Sequence, residues 1–151
     1  MIDAFSTPRN RIRTLVLLAL CGLSAIAAVA IGIDDNPPGI LLAFLAGTAF
    51  VLAFVHPWRT PRQFRRLLYA SALGFVLFAL LHNMFEAIAM NLGGPGLVQG
   101  LLNGAGAVSF VIAILVCPPG VLIGIVGAVV TSIRSRHERT SGPGAPDRSG
   151  T

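Results

Sequence analysis

The sequence predicts an all-α integral membrane protein with four transmembrane helices. Three observations carry that prediction. Four apolar stretches, separated by short polar segments, approach or exceed the length that crosses a bilayer core. Hydrophobic residues make up 54% of the 151 residues and charged residues only 11%. Soluble domains carry roughly 25% charged residues, so this chain has too little polar surface for a small globule. All eleven basic residues are arginine, and they fall in three clusters between the apolar stretches.

The net charge of +5 and a pI near 11.0 would also fit a nucleic-acid binder. The clustering argues against it, because arginines gathered at the ends of apolar runs mark membrane topology rather than a basic groove. No nucleic-acid partner is expected. The absence of lysine points to a G+C-rich bacterial source.

Residues 1–13, "MIDAFSTPRNRIR", form a polar lead-in with Arg9, Arg11 and Arg13. Residues 14–33 follow, twenty positions without a charge. As a helix they reach about 30 Å, enough to span. "AIAAVA" at 25–30 offers a signal-peptidase-like site, but the run exceeds the roughly 7–15 residues of a signal core. A retained anchor is the expectation, with cleavage as the rival.

"DDNPPG" at 34–39 reads as a turn, and its paired aspartates as solvated rather than metal-binding. The second span is expected over 39–55. "HPWRTPRQFRR" at 56–66 brings Arg59, Arg62, Arg65 and Arg66, flanked by Trp58 and Tyr69. Amphipathic rings beside arginines suit the headgroup level, so these six residues are expected to anchor the inner interface. The third span is expected over 67–92.

The glycine-rich stretch 93–106 is expected to be a weakly apolar outer segment. The fourth span is expected over 108–133, kinked at Pro118 and Pro119, which have no N–H to donate to the helix. A rival divides this region into a span near 97–117 and a half-span near 120–133. Fourteen residues from Gly120 reach only about 21 Å, which is short of a crossing. Residues 134–151 are rich in Gly, Pro and Ser and are expected to form a disordered cytoplasmic tail. The domain organisation is thus one four-helix transmembrane domain, 1–133, and a tail.

With four spans, residues 1–13, 56–66 and 134–151 share one side and hold all eleven arginines. The other side carries Asp34 and Asp35. The positive-inside rule then puts both termini in the cytoplasm, in an inner or plasma membrane.

The candidate site is an intramembrane polar group in "LLHNMFEAIAMNL", residues 80–92: His82, Asn83 and Glu86. Residues four apart share a helix face, so His82 and Glu86 can touch. An ionised acid facing lipid costs roughly 2.5–3.5 kcal/mol even on the mild insertion scale. Protonation, pairing with His82, or a protein or water neighbour would reduce that cost. The group reads either as a proton- or cation-handling site or as an interhelical clasp.

No metal or other cofactor is expected. His56 and His137 lie too far from His82 in depth to complete a ligand set within one chain. Cys21 and Cys117 read as small apolar packing residues, not a disulfide. Small residues repeat every four positions at Ser24, Ala28 and Gly32, at Gly96, Gly100 and Gly104, and at Gly120, Gly124 and Ala128, a spacing that allows close helix approach. No GxSxG, HExxH or phosphate-binding glycine loop occurs. The expected function is therefore non-enzymatic: a small multi-pass membrane protein of structural, accessory or interaction type. The alternative is a proton-coupled transporter or channel subunit using Glu86 and His82. The expected partners are the lipid bilayer and a homo-oligomer or larger membrane complex.

Overall fold

The computed structural model describes residues 4–33, 36–92 and 96–140, with side chains as far as His137. Its regular elements are helices throughout: α1 (Pro8–Ile31), α2 (Pro37–Val55), α3 (Pro61–Asn91), α4 (Leu97–Val111), a π-helical turn (Ile112–Val116) and α5 (Cys117–Thr140). The last three run on as one rod. Four helices are long and apolar enough to cross a membrane: α1, α2, α3 and the rod from Leu97 to His137.

The helices begin where the chain supplies caps and prolines. Pro8, Pro37 and Pro61 each open a helix, where a missing N–H costs nothing. Thr7 Oγ1 accepts from the Asn10 amide at 3.2 Å. Gln63 Oε1 accepts from the Thr60 amide at 3.3 Å and from the Thr60 hydroxyl at 2.9 Å. Between α1 and α2, Gly32 takes a positive φ of 91°. Asn36 Nδ2 donates to the Ile31 carbonyl at 3.0 Å, satisfying an orphan acceptor at the end of α1. "NPPG" therefore starts a helix as well as ending a turn.

Two boundaries differ from the sequence expectation. The glycine-rich stretch is helical from Leu97, so the fourth helix begins well before 108. Glycine lowers helix propensity, but an apolar setting forces every backbone group to find a partner within the chain, and a helix does that. At the other end α5 continues to Thr140, so the first residues of the expected disordered tail are helical. Residues 141–151 lie outside the described part of the chain, as do Asp34 and Asp35. The rod is uninterrupted at Pro118 and Pro119. The irregularity precedes the prolines: the Cys117 amide donates to Ile112, five residues back. With no N–H on Pro118 or Pro119, the Ile114 carbonyl has neither an i+4 nor an i+5 donor.

The helices pair as two antiparallel hairpins, α1 with α2 and α3 with the rod. Among the described elements α1 touches only α2, and α3 touches only the rod. The hairpins meet where α2 meets the π turn and α5. The result is a single row, in the order α1, α2, rod, α3, with α1 and α3 at its edges. α2 is the most buried helix, through Ala43, Ala46, Gly47, Ala49 and Ala53.

The contacts are close because the facing residues are small. A Cβ on Gly47 would collide with the Leu115 carbonyl. In the second hairpin a Cβ on Gly124 would lie 2.9 Å from the Leu68 backbone, and one on Gly127 would strike the Phe64 ring. Small facing residues let the backbones approach closely, as in the packing of apolar helices. Of the three small-residue rows, the one at Gly120 and Gly124 is packed against α3. Gly96, Gly100 and Gly104 face open space.

Gly47→Val should cost about 1–3 kcal/mol by overpacking and lower the thermal midpoint in detergent. Gly100→Ala should leave it unchanged or raise it, since alanine favours helix. A Gly47→Val chain as stable as the wild type would contradict the docking described.

Candidate functional site on the edge helix

α3 is the longest helix before the rod, and only one side of it is covered. Phe64, Leu68, Ser71, Gly74, His82 and Phe85 meet the rod. His82 is half-buried at that seam. Its Nδ1 lies 3.1 Å from the Gly106 carbonyl on α4, and its ring centroid is 5.1 Å from that of Phe110. A carbonyl oxygen only accepts, so Nδ1–H donates and the proton position is fixed by this bond.

Nε2 then faces along α3 to Glu86, with Oε2 at 3.7 Å. That is too long for a hydrogen bond. No titratable group of α4 faces the pair; its neighbours there are Gly106 and Phe110.

The three expected site residues do not all point the same way. His82 turns into the α3–α4 contact. The Glu86 side chain is 59% exposed. Asn83 is exposed, and its Nδ2 donates to the Ala79 carbonyl at 2.8 Å within α3. His82 therefore bonds across the α3–α4 contact, while Asn83 and Glu86 lie on the exposed side of α3.

Sequence reasoning missed the pattern around them. Ala72, Val76, Ala79, Asn83, Glu86 and Met90 recur at alternating intervals of four and three and so share one side of α3, the side that carries the exposed Asn83 and Glu86. All but Ala79 are exposed, and Ala79 is half-exposed. The signal was in the sequence, hidden because every residue around it is apolar too.

The other end of the row holds the arginines. α1 begins, α3 begins and α5 ends there, so Arg9, Arg11, Arg13, Arg59, Arg62, Arg65, Arg66, Arg134 and Arg136 share that end. Tyr69 is exposed, as an interfacial anchor would be. Trp58 has a second task, packing edge-on against Phe64 with centroids 5.8 Å apart. Thr14, fully buried, was not foreseen as a contact. Its Oγ1 lies 3.0 Å from the Ala4 carbonyl and 3.2 Å from that of Ala53, tying α1 to α2. His56 Nδ1 lies 3.2 Å from the same Ala53 carbonyl. Cys117 is buried, against Gly74 of α3, and Cys21 is half-buried.

His82→Ala should remove the α3–α4 bond and lower stability in detergent by about 0.5–1.5 kcal/mol. Glu86→Gln leaves that bond in place and should stay near wild type. Equal losses from both would contradict the geometry.

No family model, curated protein or solved structure matches this chain.

Proposed function

We propose that this chain is a multi-pass protein of an inner or plasma membrane that acts by interaction, docking the outer face of α3 against another transmembrane helix. The occupant it suits is α3 of a second copy. The observation that carries the reading is the exposed side of an edge helix on which Asn83 and Glu86 stand among small and apolar residues. Two parallel copies would bring Ala72 and Ala79 close, as small residues in membrane interfaces do. Asn83 would lie near the middle, where a single polar residue sets register. Glu86 would be covered by protein instead of lipid.

In this reading both termini are cytoplasmic, supported by the arginines gathered at one end of the row. The same arginines, with Trp58 and Tyr69, anchor the inner interface. A bend at Pro118 and Pro119 belongs to the reading as well, supported by the π turn and the carbonyl of Ile114 that lacks a helical donor. The activity is non-enzymatic, and turnover of a lipid or peptide substrate by pure protein would refute that.

A second reading is favoured by one observation, the approach of His82 Nε2 to Glu86 Oε2 at 3.7 Å on α3. It makes the chain a subunit of a proton-coupled transporter or channel, with the path between copies.

Single-molecule photobleaching in lipid vesicles separates these. Wild type should bleach in two steps. Changing Asn83 and Glu86 together to Ala should weaken association about tenfold or more, at about 0.6–2 kcal/mol per interhelical hydrogen bond. Wild type that bleaches in one step at every dilution contradicts self-association. A pH-driven flux abolished by Glu86→Gln would favour the transport reading.

A further inference from the structure

We propose that the groove between α3 and α5 at the arginine-rich end binds one anionic phospholipid. This rests on the chain being embedded in a membrane. The groove has a volume of about 530 Å³ and is lined by Arg65 and Tyr69 from α3 and by Ser132 and Arg136 from α5, above Leu68 and Val129. That size lies within the roughly 300–1,000 Å³ of small-molecule sites. Its lining holds two guanidinium groups.

The two helices are antiparallel, and helical side chains lean toward their own N-terminus. Arg65 therefore leans outward along α3, and Arg136 leans inward along α5. Both guanidinium groups line the same groove from facing helices. A phosphodiester in it would meet two planar, charged donors that suit its oxygens. The hydroxyls of Tyr69 and Ser132 add neutral donors just below. Leu68 and Val129 continue as an apolar wall in the direction an acyl chain takes.

The groove follows from the packing of this hairpin. Gly124 and Gly127 admit Leu68 and the Phe64 ring closely. Ala128, the third member of the same small-residue row, lines the groove instead of filling it. A free phosphate would use the arginines and leave the apolar wall unused. The union of both surfaces is what selects a lipid.

The test is native mass spectrometry of the full chain in nonionic detergent, titrated with phosphatidylglycerol or phosphatidylcholine. One phosphatidylglycerol should bind in preference to phosphatidylcholine. Changing Arg65 and Arg136 together to Gln should weaken it about 30-fold, from the usual contribution of an arginine near an anionic headgroup. Changing Arg9 and Arg11 to Gln removes the same charge from exposed positions on α1 and should change binding no more than about twofold. Equal loss in both variants, no preference for the anionic lipid, or full displacement by inorganic phosphate alone would each overturn the proposal. Carbonate extraction from membranes runs beside it. Extraction of the chain overturns the membrane reading too, whereas a retained chain with no lipid preference overturns the groove alone.

Discussion

The arrangement depends on one close approach, the backbone of Gly47 in α2 against the carbonyl of Leu115 in the rod. It joins two hairpins that touch nowhere else except where α2 meets α5 and the π turn. A Cα–H of glycine is a weak donor that can come near the Leu115 oxygen, and no side chain stands in the way.

A row of helices has consequences that a closed bundle lacks. In a bundle each helix turns its polar residues inward. Here α3 is an edge, with the rod on one side and no described element on the other. Its polar group is therefore divided. His82 bonds to Gly106 at 3.1 Å, and Asn83 and Glu86 stay exposed. The same edge position leaves the groove beside Arg65 and Arg136 open to lipid.

Much of this was legible in the sequence. The apolar runs gave four long helices, because length and hydropathy decide that within a membrane-like composition. The arginine clusters marked one end. The His82–Glu86 pair followed from a spacing of four. Other features depend on three-dimensional neighbours that spacing does not encode. Gly47 looks like any glycine in an apolar helix until Leu115 is placed beside it. Thr14 looks like the first residue of a span, but it is a buried bridge to Ala53. The helix from Leu97 defied its glycines, since backbone satisfaction outweighs propensity in an apolar setting. The two hairpins also open alike, with Thr-Pro-Arg at 7–9 and at 60–62. That likeness becomes visible once the pairing of helices is known.

The central claim is that the outer seam of α3 is an interface. Oxidative cross-linking in membranes tests it directly, with Cys21 and Cys117 replaced by Ala and single cysteines placed along α3. The account predicts disulfide-linked dimers from cysteines at Ala72, Val76, Ala79 and Asn83, and little from Leu73, Leu77, Leu80 and Met84, which lie about 100° further round the helix. Cross-linking that is uniform around the helix, or strongest at the second set, would contradict it.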